Sequence, residues 1–176
     1  MKRITVIKAI AFAFASMLVS TGVWAQQERA SPAATTMGIV GGAHITITYS
    51  SPGVKGREIW GALVPYDKAW RAGANEATTF MTDKDIKVEG KTLPAGKYTL
   101  FAIPTKGDWT IILNSETGQW GIKRTGEANF DPAKNVISVT VKPHKSATLT
   151  ERLVYEVTSK GVILKWENLE IPIMIK

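Results

Sequence analysis

Apolar and polar residues alternate with period two along most of the chain. In "HITITY", residues 44–49, Ile45, Ile47 and Tyr49 share one face while His44, Thr46 and Thr48 share the other, as in a half-buried strand. "DIKVE" (85–89) alternates in the same way, and "KYTLFAI" (97–103) and "WTIIL" (109–113) are apolar on both faces, which predicts central strands. "VISVTVK", "RLVYEVT", "GVILKW" and "LEIPIMI" follow; Pro172 in the last cannot donate to a ladder, so an edge position is expected there. Turn residues separate the runs, in "SSPGVKG", "EGKTLPAG", "PTKGD" and "TSKG". With "EATTFM" (76–81) the pattern predicts about nine short strands. One short helix is expected in "LVPYDKAWRAG" (63–73), where Leu63, Tyr66 and Trp70 fall at i, i+3 and i+7 between Pro65 and Gly73. Many hairpins, few helices and no internal repeat indicate a mainly β protein, an antiparallel β-sandwich, with a partly open barrel as the alternative.

The N-terminus has a different composition. Lys2, Arg3 and Lys8 precede the apolar stretch "AIAFAFASMLV", and "VWA" offers a small residue at Ala25, so residues 1–25 are expected to be an export signal cleaved near Ala25. Its removal leaves about 150 residues, the length of one domain, with no second apolar run long enough to span a membrane. Residues 26–42 are small, polar and Gly/Pro-punctuated and are expected to form a flexible lead-in; a single β domain is expected over 43–176. The destination would be the periplasm or the cell exterior.

Charge and cysteine content remove whole classes of function. Three of the 22 basic residues belong to the leader, so the net charge of +7 falls to +4 without it, and the remainder is scattered rather than gathered in the stripe a nucleic-acid binder shows. With no cysteine, disulfides, thiolate metal sites and cysteine nucleophiles are excluded. His44 and His144 have no neighbouring ligand at metal spacing, no G-x-S-x-G occurs, and nothing in the sequence requires a cofactor.

The densest chemistry lies in "KAWRAGANEATTF", residues 68–80. Arg71 offers a planar fork of donors for a carboxylate, sulfate or phosphate, Asn75 both donates and accepts, and Trp70 offers a flat apolar wall. Glu76 would serve as an acceptor, or as a general acid/base if burial raised its pKa. The same atoms suit a structural corner, with Trp70 plugging the sandwich, Arg71 and Glu76 paired, and Asn75 satisfying turn amides. A second candidate is the long aperiodic segment 114–135, which carries Trp120. Of the five tryptophans beyond the leader, Trp109 and Trp166 fit strand cores, leaving Trp60, Trp70 and Trp120 as possible platforms for a sugar ring.

The order "SPGVKGREIWGALVPYDKAWRAGANEATTF", "KVEGKTLPAGKYTLFAIP", "WTIILN" and "QWG" resembles the exported bacterial proteins grouped as domain of unknown function 2911, over roughly residues 31–143 with a looser match beyond. Trp60 stands where phenylalanine is usual in that family and Ala72 where threonine is usual. The resemblance implies export and a compact, mainly β domain; it implies no reaction and transfers no catalytic residue.

Three functions follow as expectations. The first is an exported binding module for a polar or anionic small molecule or an envelope glycan, held by Trp70, Arg71, Asn75, Glu76 and Trp120. The second is a hydrolase or lyase on an envelope polymer with Glu76 as acid or base, which requires a facing carboxylate such as Asp67 or Glu58. The third is a structural or protein-interaction module pairing through its last strand.

Overall fold

The structure is a computed structural model that describes residues 29–176. The leader expected over residues 1–25 lies outside the described residues. Ten strands follow one another: β1 Ala33–Val40, β2 Ala43–Ser50, β3 Thr79–Thr82, β4 Ile86–Val88, β5 Lys91–Leu93, β6 Gly96–Ile103, β7 Trp109–Asn114, β8 Asn135–Val141, β9 His144–Thr158 and β10 Gly161–Met174. All the ladders between them are antiparallel. They form a sandwich rather than a closed barrel. One layer is a six-stranded sheet in the order β1-β2-β3-β6-β7-β8.

The second layer is built on β9 and β10. A straight 14-residue strand would separate its ends by about 45 Å, yet the Ile175 N–H donates to the Lys160 carbonyl at 2.9 Å. The strand therefore turns back on itself, at Glu167, where the register against β9 shifts on both sides. The returning end is held on its other flank by β4, through reciprocal hydrogen bonds between Lys87 and Lys176. The last strand is thus no free edge, contrary to the expectation from Pro172: it has backbone partners on both sides. Between the layers, Ile45, Ile47, Leu100 and Ile111 of the large sheet join Leu164 and Ile173 in one core.

The outer face of the large sheet explains the long aperiodic segment. Phe101 and Ile112 point outward from β6 and β7, and residues 115–131 roof them, with Phe130 stacked on Phe101 at 4.5 Å. This is why both strands are apolar on both sides. One rank of polar residues crosses the same face in register: Thr35, Thr48, Thr79, Thr99, Asn114 and Asn135. Its covered half pins the roof, since Thr99 Oγ1 donates to the Glu116 carbonyl and Asn114 Nδ2 to that of Asp131. Its other half, Thr35, Thr48 and Thr79, is not covered by the roof.

Two further expectations are corrected. Residues 63–73 form turns, not a helix; the only helical element among the described residues is a 3-10 turn at Pro132–Lys134. The backbone amides of Asp67 and Trp70 donate to Pro104 and Ala102 beside β6, and Asp67 and Ala72 adopt left-handed conformations, so an α-helix cannot form. The expected flexible lead-in contains β1, an edge strand paired with β2 along its whole length. Its Ala, Thr and Gly residues carry little hydrophobic signal, but the Gly41–Gly42 turn, both residues with positive φ, closes a tight hairpin.

Candidate functional site

The two candidate regions of the sequence meet on one corner of the large sheet. Residues 75–77 and 119–121 form a short antiparallel ribbon, with Ala77 N–H donating to the Gln119 carbonyl at 3.1 Å and Gly121 N–H to that of Asn75 at 3.0 Å. Glu76 and Trp120 are directly opposed in it, and opposed residues project to the same face. Trp120 is 50% exposed, an aromatic ring left open beside a carboxylate.

Glu76 is itself anchored. Its Oε1 accepts from Arg29 Nη1 at 2.8 Å, and its Oε2 accepts from Ser50 Oγ at 3.3 Å. A hydrogen bond from its own backbone amide, and then the one from Arg29, hold the carboxyl below its ordinary pKa. It is an ionised acceptor near neutral pH.

Beside it lies a hollow of about 250 Å³. Thr48, Ser50 and Thr79 line it with hydroxyls, Glu76 and Gln119 with a carboxylate and an amide, and Lys97 with a cation. Sequence reasoning did not single these out, apart from Glu76. For Thr48 the signal was the polar side of the alternation in "HITITY", which reads as an ordinary solvated face, whereas Ser50, Thr79, Lys97 and Gln119 carry no comparable mark in the sequence.

The remaining candidates have other roles in the geometry. Trp70 pairs its amide and carbonyl with Ala102, and its ring stacks on Trp166 at 5.8 Å and meets Trp60 edge-on at 5.8 Å. That places the ring against the core tryptophans, not beside Trp120. Arg71 is half-buried, its aliphatic stem passing under Gly121, where a Cβ would stand 2.1 Å from Arg71 Cδ. Burial lowers its pKa, and among the described residues no carboxylate lies within 4.0 Å of it. Asn75 takes a left-handed conformation (φ 56°) and its Nδ2 donates to the Ser31 carbonyl at 3.1 Å. Glu58 lines a different hollow, and no second carboxylate lines the one beside Glu76. Among the described residues no group of three or more His, Asp or Glu gathers as a metal site would require.

The segments that carry the family resemblance are joined here by backbone pairing, Trp70 to Ala102 and Glu76 to Trp120. No curated protein and no solved structure matches the chain. The family model described as protein of unknown function, DUF2911, matches residues 31–175, and the chain belongs to that family.

Proposed function

We propose that this protein is an exported, soluble binding module for a polar or anionic small molecule or an envelope glycan, and that a hydroxyl-rich ligand suits the corner best. The observation that carries the reading is the pairing of half-exposed Trp120 with Glu76 on one face, next to a hollow with hydroxyls from Thr48, Ser50 and Thr79. An aromatic ring takes the apolar face of a sugar, while carboxylate, hydroxyl and ammonium groups exchange hydrogen bonds with its rim. The hollow is below the roughly 300 Å³ of a typical small-molecule pocket, so it holds one ring of a longer ligand better than an enclosed whole. Binding is favoured over hydrolysis because a general acid needs a raised pKa, whereas Glu76 is shifted the other way and has no facing carboxylate among the residues lining the hollow. Export after cleavage near Ala25 belongs to the same proposal.

The test is a thermal-shift screen with oligomers of N-acetylglucosamine, glucose and galactose, and with sulfate and citrate as anions. A true ligand at a hundred times its Kd raises Tm by about 5–10 °C. The rise should disappear in Trp120→Ala and Glu76→Gln, both at exposed positions. A screen in which no probe stabilises the protein, or in which both variants respond like the parent, overturns the proposal.

A further inference from the structure

A second hollow, of about 530 Å³, opens at one end of the sandwich, where four loop segments meet. Its volume is that of a small-molecule pocket. Trp60, Tyr66 and Leu169 supply half-buried apolar surface, and Trp109 lies fully buried beneath, 4.9 Å from Trp60.

Glu167, in its wall, breaks three local rules at once. It stands in the turn of β10 with φ 54°, a conformation that glycine and asparagine adopt and glutamate avoids. It is half-buried, and it forms no ion pair within 4.0 Å among the described residues. Its Oε2 is buried with no hydrogen-bond partner among the described residues. Glu89 is an internal control: it too is left-handed (φ 47°), but its Oε1 accepts the Met174 N–H at 2.6 Å. Glu89 is compensated within the fold and Glu167 is not. Uncompensated costs gathered at one residue in a hollow mark a site whose partner comes from outside.

A complementary group lines the same hollow. Trp60 Nε1 is a buried donor without a partner among the described residues. The cations of Lys142 and Lys145 also line it, neither paired with a carboxylate within 4.0 Å among the described residues. The lining of the hollow therefore combines an unpartnered acceptor, an unpartnered donor and apolar surface with the cations of Lys106, Lys142 and Lys145 and the carboxylates of Glu58 and Asp108. We propose that it binds a zwitterionic small molecule of the free amino-acid class. The ligand's ammonium faces Glu167, its carboxylate faces Trp60 Nε1, Lys142 and Lys145, and its side chain packs on Tyr66 and Leu169.

Calorimetry and thermal shift with the common L-amino acids and D-alanine test this on the chain beginning after Ala25. At least one apolar amino acid should raise Tm at millimolar concentration, and its amide and N-acetyl derivatives, each lacking one charge, should bind at least tenfold more weakly. Glu167→Gln should lose at least tenfold in affinity. Glu167→Gly should lose the response while its ligand-free Tm stays unchanged or rises, because glycine relieves the left-handed strain. Glu76→Gln, at the other corner, should bind as the parent does. The proposal is overturned if no free amino acid stabilises the protein, if Glu167→Gln binds unchanged, or if both derivatives match the parent amino acid. A response to uncharged sugars that Glu167→Gln abolishes would also overturn it, since hydroxyls would then be the recognised group.

Discussion

Ala72 is fully buried in a left-handed conformation (φ 51°), an arrangement that survives only if its surroundings fix it. Two hydroxyls do so: Thr78 Oγ1 and the Tyr155 phenol both donate to the Ala72 carbonyl, at 3.0 Å and 2.8 Å. Burial pushes the Tyr155 pKa far above that of an ordinary phenol, so the donor stays protonated wherever the protein is folded. The sequence marked a corner here, through Gly73 and Asn75, although Asn75 reaches the Ser31 carbonyl and not the turn amides expected of it. It could not reveal that the turn is fastened from 83 residues away, because a single tyrosine in "RLVYEVT" carries no mark of its partner. Tyr155→Phe should lose about 1–2 kcal/mol, roughly 2–8 °C in Tm. Combined with Thr78→Val it should lose more than the sum of the two, since the buried carbonyl is then left with neither hydroxyl. Urea unfolding of the three variants measures this, and simple additivity would show that the two hydroxyls do not share the task.

At the level of elements, apolar periodicity was the most informative signal and also the source of the main error. Double-sided apolarity in β6 and β7 correctly indicated central strands, because the roof over Phe101 and Ile112 makes both faces interior. The i, i+3, i+7 pattern of Leu63, Tyr66 and Trp70 suggested a helix, yet Leu63 is exposed and the Trp70 ring reaches the core tryptophans from a residue paired with Ala102. The roof joins the corner through the ribbon of residues 75–77 and 119–121 and through the passage of Gly121 over Arg71, and the second contact gives a direct test. Gly121→Ala would press a methyl into Arg71 Cδ and Cβ, at 2.1 Å and 2.8 Å, and should cost about 1–3 kcal/mol as the ribbon shifts. Arg71→Ala removes the obstacle, so the double variant should be more stable than the two single losses imply, with a coupling of about 0.5–3 kcal/mol. A coupling near zero in chemical unfolding would mean that the ribbon does not rest on the arginine stem.

The sandwich class was readable from the whole chain, but its assembly order was not, because pairing across long separations leaves no local trace in sequence. The C-terminus shows the consequence. "LEIPIMI" reads as one alternating strand at the margin of the fold, whereas its end lies between β4 and Lys160 of the β9–β10 turn and closes the second layer. Ile171, Ile173 and Ile175 are no more than 3% exposed, and burying three such side chains contributes about 5–9 kcal/mol. That is comparable with the entire stability of a typical domain, about 5–15 kcal/mol. Ending the chain after Glu170 should therefore abolish cooperative unfolding. Near-ultraviolet circular dichroism reads this well, because Trp166 stacks on Trp70 and meets Trp60 within 5.8 Å and would lose its fixed surroundings. Removing Lys176 alone takes away only the paired hydrogen bonds to Lys87 and should cost about 1–3 kcal/mol, leaving a sharp transition. If the chain ending at Glu170 keeps a sigmoidal urea curve near that of the parent, the last strand is an ornament on the second layer and not its closing member.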